Sequence, residues 1–405
     1  MLSRTYSVFS SRMDIRRKRT ISLATPCTIL LIFLLVSWRL MRGSNTHVLQ
    51  PQIQPETPTT PTTASPTPPN ARNTTRALII ARLKDEDTTW ADTLHESHPD
   101  LTIDQLAIYT ANDPYLFPYT VNDTNYNYSV PQNKGHEVMV YLTYIIDHYD
   151  SLQDVSIFMH SHLHTWHNND FLDSSSAEMV ARLRTDRVLR HGYMNLRCHH
   201  QPGCPDHIHP RVVDKGKDDE LNIPEAAIIG TAWTELFPEK MGADGHGLPE
   251  VLSQPCCGQF AVSRDAIRAV PRERYIFFRD WLLKTDLEDR LSGRVWEYTW
   301  QYIFAGVEVF CPDEYECYCD GYGVCFESRE QYQHWFEMRD EVRALEAELQ
   351  SLEEDEGKEE GKPSVPDKKK EAKKLELESK IAKLRDQMDR EKELAVAGGK
   401  DGKGR

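Results

Sequence analysis

Residues Ile21 to Trp38 read ISLATPCTILLIFLLVSW, a run with no charged side chain. About 20 apolar residues suffice for a helix to cross the hydrocarbon core of a bilayer. Residues 21–41 are therefore expected to form a transmembrane signal-anchor, and the rest of the chain is divided by it. Arg4, Arg12, Arg16, Arg17, Lys18 and Arg19 precede the run, and only Arg39 and Arg42 follow it closely. Lys and Arg accumulate on the cytosolic flank of a span. The basic segment 1–20 is then cytosolic, and everything beyond residue 42 is lumenal: a single-pass type II membrane protein. A cleaved signal peptide is the competing reading, but no small-residue cleavage site follows the run.

Residues 42–75 are rich in Pro, Thr and Ser and have no apolar periodicity. Such a segment cannot pack a core and is expected to be an extended, O-glycosylated stalk. Three N-x-[ST] sequons, at Asn73, Asn122 and Asn127, fall on the lumenal side and are candidate glycosylation sites. Net charge is -15, and residues 76–327 hold 21 basic against 40 acidic groups. That field repels a phosphate backbone, so nucleic acid is not an expected partner. Mean hydropathy of -0.59 excludes a polytopic membrane protein.

Beyond the anchor lie eight cysteines: Cys198, Cys204, Cys256, Cys257, Cys311, Cys317, Cys319 and Cys325. An even count in an oxidising lumen predicts disulfides. Cys198 and Cys204, six residues apart beside Pro and Gly, are expected to bridge, in preference to a zinc site with His200, His207 and His209. Golgi-resident processing enzymes share this layout, so the Golgi or another endomembrane lumen is the expected location.

Residues 328–405 form a charged tail. Ser328 to Gln331 fits a helix capping box. Trp335, Met338, Val342, Leu345, Leu349 and Leu352 alternate steps of three and four, a coiled-coil-like seam. Leu377, Ile381, Leu384 and Met388 form a second. The two seams can close as a hairpin or pair between chains, so self-association through 328–394 is one expectation.

Residues 76–327 read as one α/β domain, large enough for a sizeable core. Ala77–Leu83, Leu106–Thr110, Val155–Met159 and Ala226–Gly230 are short apolar runs of strand type, with Phe260–Val262 and Val307–Phe310 as shorter candidates. Val138, Tyr141, Leu142, Ile145, Ile146 and Tyr149 follow the helical period. Strands alternating with amphipathic helices indicate a layered α/β fold with a largely parallel sheet. Ligands in such folds sit beyond the carboxyl ends of the strands.

Those ends carry the chemistry. Lys84 follows the first strand and Asp113 the second. Asn133-Lys-Gly-His-Glu137 opens the clear helix, where free backbone N–H groups suit an anion. The third strand runs into His160-Ser-His162-Leu-His164-Thr-Trp166-His167. Residues 160, 162 and 164 would share one side of a continued strand, and converging imidazoles suit manganese or zinc. Asp280 beside Trp281, and Glu297 between Trp296 and Trp300, place carboxylates among aromatic rings. Either could be a general base with a raised pKa.

Several motifs within 76–327 resemble a fungal family catalogued as a domain of unknown function. They are Ala77–Leu83 with Lys84–Trp90, Asn133–Glu137, Tyr144–Asp150, Val155–His160, Gly192–Cys198, Cys256–Arg264 and Gly293–Glu297. That family in turn looks similar to GT-A glycosyltransferases, which bind a nucleotide-sugar over the first strands of a three-layer α/β sandwich. The resemblance implies that Lys84, Asp113, Asn133, Gly135 and Glu137 line a donor pocket. It implies that Trp233, Arg264 and Trp300 face an acceptor, and that Glu297 or Asp280 acts as base. Where many GT-A enzymes carry an Asp-x-Asp motif for Mn²⁺, this chain has His160-Ser-His162. His160, His162 and His164 are then the expected contacts to a metal or diphosphate.

Sugar transfer from a nucleotide-sugar to a glycan is the leading functional expectation. A metal-dependent hydrolase is the first alternative. His162-Leu-His164-Thr-Trp166-His167 resembles the metallo-β-lactamase pattern His-x-His-x-Asp-His with Trp166 in the Asp position, and bound zinc would supply hydroxide at neutral pH. The second alternative is a non-catalytic glycan-binding or scaffold protein.

Overall fold

A computed structural model describes residues 74–112, 127–211, 225–241, 247–357 and 368–400. All of them belong to one compact unit, Thr67–Arg405. The expected anchor, the stalk as far as Asn73, Asp113 and Asn122 lie outside the described residues. Among those described, no helix is long and apolar enough to cross a membrane.

Six strands form one sheet: β1 Arg76–Arg82, β2 Gln105–Thr110, β3 Asn127–Ser129, β4 Val155–His160, β5 Tyr193–Asn195 and β6 Phe260–Ser263, in the order β3-β2-β1-β4-β6-β5. The pairs β1–β2, β1–β4 and β2–β3 are parallel, whereas β6 runs antiparallel to β4 and β5. Side chains on a strand alternate between faces, and both faces here are covered. Ala77 and Ile79 enter one core, Leu78 and Ile80 the other. Strands buried on both sides read as continuous apolar runs, which is why β1 was legible as RALIIAR.

The first face is covered by helices α1 Val138–His148, α4 Glu225–Leu236, α5 Arg272–Lys284, α6 Asp289–Glu297 and α7 Trp300–Ala305. The second is covered by α2 Ser176–Arg182, α3 Thr185–His191, α8 Glu314–Tyr322 and two long helices, α9 Arg329–Gly357 and α10 Lys368–Lys400. The result is a helix–sheet–helix sandwich.

Two expected strands differ. Ala226–Gly230 lies within α4: Ala226, Ile229, Gly230, Ala232, Trp233 and Leu236 are its buried residues, a helical spacing that a five-residue window hides. Val307–Phe310 contributes one isolated bridge, Ser253 to Val309, and no strand. The three-residue strands β3 and β5 are too short to show a period in sequence.

The tail closes on its own chain. Helices α9 and α10 pair as an antiparallel hairpin, with Lys380–Glu341 and Arg385–Glu346 across the seam. Trp335, Met338, Val342, Ile381 and Met388 are buried in the second core. The Trp335 indole N–H donates to the Met388 carbonyl at 2.9 Å. Arg339 binds Asp170 at 2.7 Å. The hairpin thus completes a layer of the domain.

The eight cysteines from Cys198 to Cys325 are all bonded, though not as expected. Cys198 pairs with Cys317 and Cys204 with Cys311, while Cys256–Cys257 is vicinal and Cys319 pairs with Cys325. The expected Cys198–Cys204 bridge is absent, because β5 carries Cys198 toward α8. Proximity in sequence was a poor guide: the two long-range bridges span 119 and 107 residues. Closing loops of this length contributes roughly 4–5 kcal/mol each on chain-entropy grounds.

Candidate functional site

The strand order reverses at β1. The chain winds outward through β2 and β3, then returns to place β4 on the other side of β1. In open α/β sheets the crevice beyond the carboxyl ends of two such strands receives the ligand. Here those ends are Leu83–Asp87 after β1 and Ser161–His167 after β4.

The two loops are joined. The Ser161 hydroxyl donates to Glu86 Oε2 at 2.7 Å, and the Trp90 indole donates to the Ser161 carbonyl at 2.6 Å. His162 Nε2 stands 3.8 Å from Glu86 Oε1. The Lys84 N–H donates to Asn112 Oδ1 at 2.7 Å, tying the ends of β1 and β2. Glu86 was not singled out in the sequence; its place after a buried strand was the available signal.

A segment before β6 organises the other wall. Three consecutive residues each address one polar group. The Cys257 N–H donates to Glu297 Oε1. Gly258 has φ +64°, and a Cβ there would stand 2.6 Å from Glu137 Oε1, so only glycine admits that carboxylate. Gln259 Oε1 accepts the His160 N–H at 3.1 Å, and its amide donates to Asn168 at 2.9 Å. One short stretch thereby registers Glu297, Glu137 and His160 together.

Glu137 and His160 face each other with Oε2 and Nε2 3.9 Å apart. Burial, reinforced by the Glu297 carboxylate and opposed by Arg294, pushes Glu137 up to about 8. Burial, with the neighbouring histidines, pulls His160 down to about 3. Burial and Arg197 pull His167 down to about 4. The rings of His160 and His167 lie 5.1 Å apart, edge to face. The Nε2 atoms of both are shielded and have no hydrogen-bond partner. Buried polar atoms are rarely left unpaired, and two together in a crevice mark a place for a ligand. Near neutral pH this pocket holds uncharged imidazoles beside a carboxyl group whose proton is poised to leave.

Glu297 is buried, not solvent-facing. Its carboxylate is held by Arg294 as well as by the Cys257 N–H, and its carbonyl accepts from the Gln254 amide. With both oxygens occupied it serves as an anchor for the Cys257 turn and Arg294. Asp280, the other expected base, sits half-exposed on α5, 3.8 Å from Lys284, in a separate groove of ≈ 830 Å³ with Thr231 and Glu235.

The expected acceptor residues are not gathered here. Trp233 and Trp300 are fully buried in the first core, because their helices turn those faces to the sheet; the Trp233 indole donates to the Gly247 carbonyl. Arg264 follows β6 and binds Asp154 at 2.7 Å. Since β6 is antiparallel to β4, that places it at the opposite end of the sheet from His160.

On the donor side, Asn133 is exposed and Gly135 is buried at φ +70° against Leu282. The Lys134 ammonium caps the Thr285 carbonyl. The 135–136 turn meets Gly293 of α6, where a Cβ would stand 2.9 Å from His136 Cδ2.

The three histidines do not converge. Strand β4 ends at His160, the chain turns at Ser161, and His164 Nδ1 lies 3.3 Å from the Asp173 carbonyl. Among the described residues one group of three potential ligands comes together, Cys256, Cys257 and Glu297, and its sulfurs are bonded to each other. The donor set present does not fit a three-ligand metal site.

Trp166 stands 71% exposed beside this crevice. The Arg197 guanidinium lies 5.4 Å from its ring and donates to the His167 and Gln201 carbonyls.

A family model described as "Protein of unknown function (DUF3431)" matches residues 78–320. The match runs from β1 into α8 and includes every residue of the crevice. No curated protein matches the chain.

Proposed function

The chain belongs to the DUF3431 protein family, and we propose that it transfers a sugar from a nucleotide-sugar to a glycan at the crevice beyond β1 and β4. The observation that carries this reading is Glu137, a crowded carboxyl raised to about 8 at the topological switch point of a mostly parallel sheet. A group-transfer enzyme working near neutral pH needs a base tuned to that range. In its ionised form Glu137 takes the proton from an acceptor hydroxyl. The hydroxyl oxygen bonds to the anomeric carbon, and the bond from that carbon to the nucleoside diphosphate breaks. His160 and His167, neutral throughout, offer ring nitrogens to hydroxyl or phosphate groups. Arg294 brings positive charge to the same wall, and Glu297 positions Arg294 and the Cys257 turn.

The sandwich and its strand order support the GT-A-like reading, in which the donor lies over Lys84 and the Asn133–Glu137 turn. The eight paired cysteines favour an oxidising compartment, and with the basic-flanked run Ile21–Trp38 they support a lumenal domain on a type II anchor. No step is routed through a metal.

The test is a transfer assay on the full chain with a panel of nucleotide-sugars. Turnover in the wild type and its loss in Glu137→Gln is the expected result. A full panel without turnover, or a fully active Glu137→Gln, overturns the reading. Trp166 favours one other function, glycan binding without catalysis, and binding of glycans with no turnover of any donor would select it.

A further inference from the structure

Between the His160–His167 loop and α9 lies a groove of ≈ 880 Å³, within the size range of small-ligand sites. Trp166 forms one side of it and Phe336 and Arg339 of α9 the other. We infer that this groove is the acceptor subsite, and that it takes an uncharged oligosaccharide with one sugar ring stacked on Trp166. The inference rests on the transferase reading for the word acceptor, but not for the binding itself.

Trp166 is the most exposed of the large apolar side chains among the described residues of 76–327. An indole in water forfeits the benefit of burial that a flat apolar partner would restore. The ring is held in place. Arg197, itself 94% buried by its 6% exposure, lies against it, and the guanidinium donates to the His167 and Gln201 carbonyls at 2.6 Å each. A fixed aromatic platform costs little ordering on binding.

The lining selects against charge. It carries four arginines and five carboxylates; Arg329, Arg339 and Arg343 are already paired with Asp313, Asp170 and Asp340, Arg197 is held by backbone carbonyls, and Glu314 accepts from the Tyr332 hydroxyl. Asp170 accepts from Arg339 at 2.7 Å and from Arg343 at 3.2 Å, and meets His199 at 3.0 Å. Arg329 binds Asp313. A strongly anionic or cationic ligand gains nothing net there. The N–H groups and lone pairs that the pairs leave over suit hydroxyls, which both donate and accept. A pyranose combines that rim of hydroxyls with a C–H face for the indole.

The groove meets the loop that follows β4 at Trp166. Trp166 and His167 have ring centres 5.5 Å apart, and His167 and His160 5.1 Å. His167 and His160 thus stand between a sugar on Trp166 and Glu137. This also gives the docked tail a task, since α9 supplies one side of the groove.

The experiment titrates the full chain with neutral manno-, gluco-, galacto- and chito-oligosaccharides and follows tryptophan emission and binding heat. At least one series is expected to bind and to quench or blue-shift emission. Trp166→Ala is expected to weaken that series about tenfold or more, and Trp166→Phe, which keeps a ring, to restore most of it. An exposed side chain can be removed without unfolding, and circular dichroism checks this. Absence of binding by every series overturns the inference, as does equal binding by Trp166→Ala. A nucleotide-sugar thermal-shift series runs in parallel. Oligosaccharide binding through Trp166 without any nucleotide response upholds the groove and sinks the transferase. The reverse pattern sinks the groove and leaves the transferase standing.

Discussion

Glu137 Oε2 and His160 Nε2 lie 3.9 Å apart, and both groups are uncharged near neutral pH because burial raises the acid to about 8 and lowers the base to about 3. Two titratable groups driven apart by their surroundings identify an acid–base site. The stronger base of the pair is the carboxylate, once it has lost its proton.

That inversion makes the folded protein sensitive to alkali. Folding holds a proton on Glu137 that the unfolded chain releases near 4.5. The associated stability is fully present below that value and is lost as pH rises through about 8. Glu137→Gln should therefore lose less melting temperature than wild type between pH 5 and pH 9. Parallel curves for the two proteins would argue against the raised pKa.

The histidines act in the other direction. His160 and His167 are held at about 3 and 4, below their ordinary 6.5. Their contribution is present above 6.5 and lost as pH falls toward 4. His160→Gln, neutral at every pH, should flatten the acid limb of a melting-temperature profile. An unchanged limb would place His160 in water.

The vicinal pair Cys256–Cys257 holds a non-glycine residue, Cys257, at φ +85°. A conformation of that kind costs of order 1–3 kcal/mol and persists only when its surroundings enforce it. Replacing both cysteines by alanine should let the turn relax and release Glu297 and Glu137. Transfer is expected to fall at least about tenfold with little change in circular dichroism. Wild-type turnover in that variant would make the turn incidental.

Helix α9 packs Trp335 and Tyr332 on Phe171, Tyr318 and Phe326 of the second core, so a chain ending at residue 327 should expose those three rings and aggregate. Trp335→Ala should cost roughly 3–5 kcal/mol, read as a drop in denaturant midpoint. A monomeric, cooperatively folded 76–327 fragment would contradict the packing.

Legibility followed physical range. Strands β1, β2, β4 and β6 and helix α1 were readable because burial on both faces, or a full helical period, is written in a few residues. Helix α4 read as a strand since its window Ala226–Gly230 shows only apolar character. The carboxyl-end rule led to Lys84 and His160, and the turn that opens α1 led to Glu137; of these, Glu137 and His160 face each other at 3.9 Å. That rule pointed to the loop that carries Glu86 without singling that residue out, and it could not show that Gly258 admits Glu137, which depends on segments far apart in sequence. Trp233 and Trp300 looked like sugar platforms because composition does not say which way a ring points. Trp166, an exposed ring, lay inside the histidine run and was read there only for its place in a metal pattern.

The most direct measurement is the pH dependence of sugar transfer by the full chain, wild type against Glu137→Gln, with the nucleotide-sugar that supports turnover. The account predicts a wild-type rate that climbs through an apparent pKa of about 8, and a variant slower by about 10²–10⁴ with that climb removed. A variant that keeps the wild-type rate and profile would contradict it.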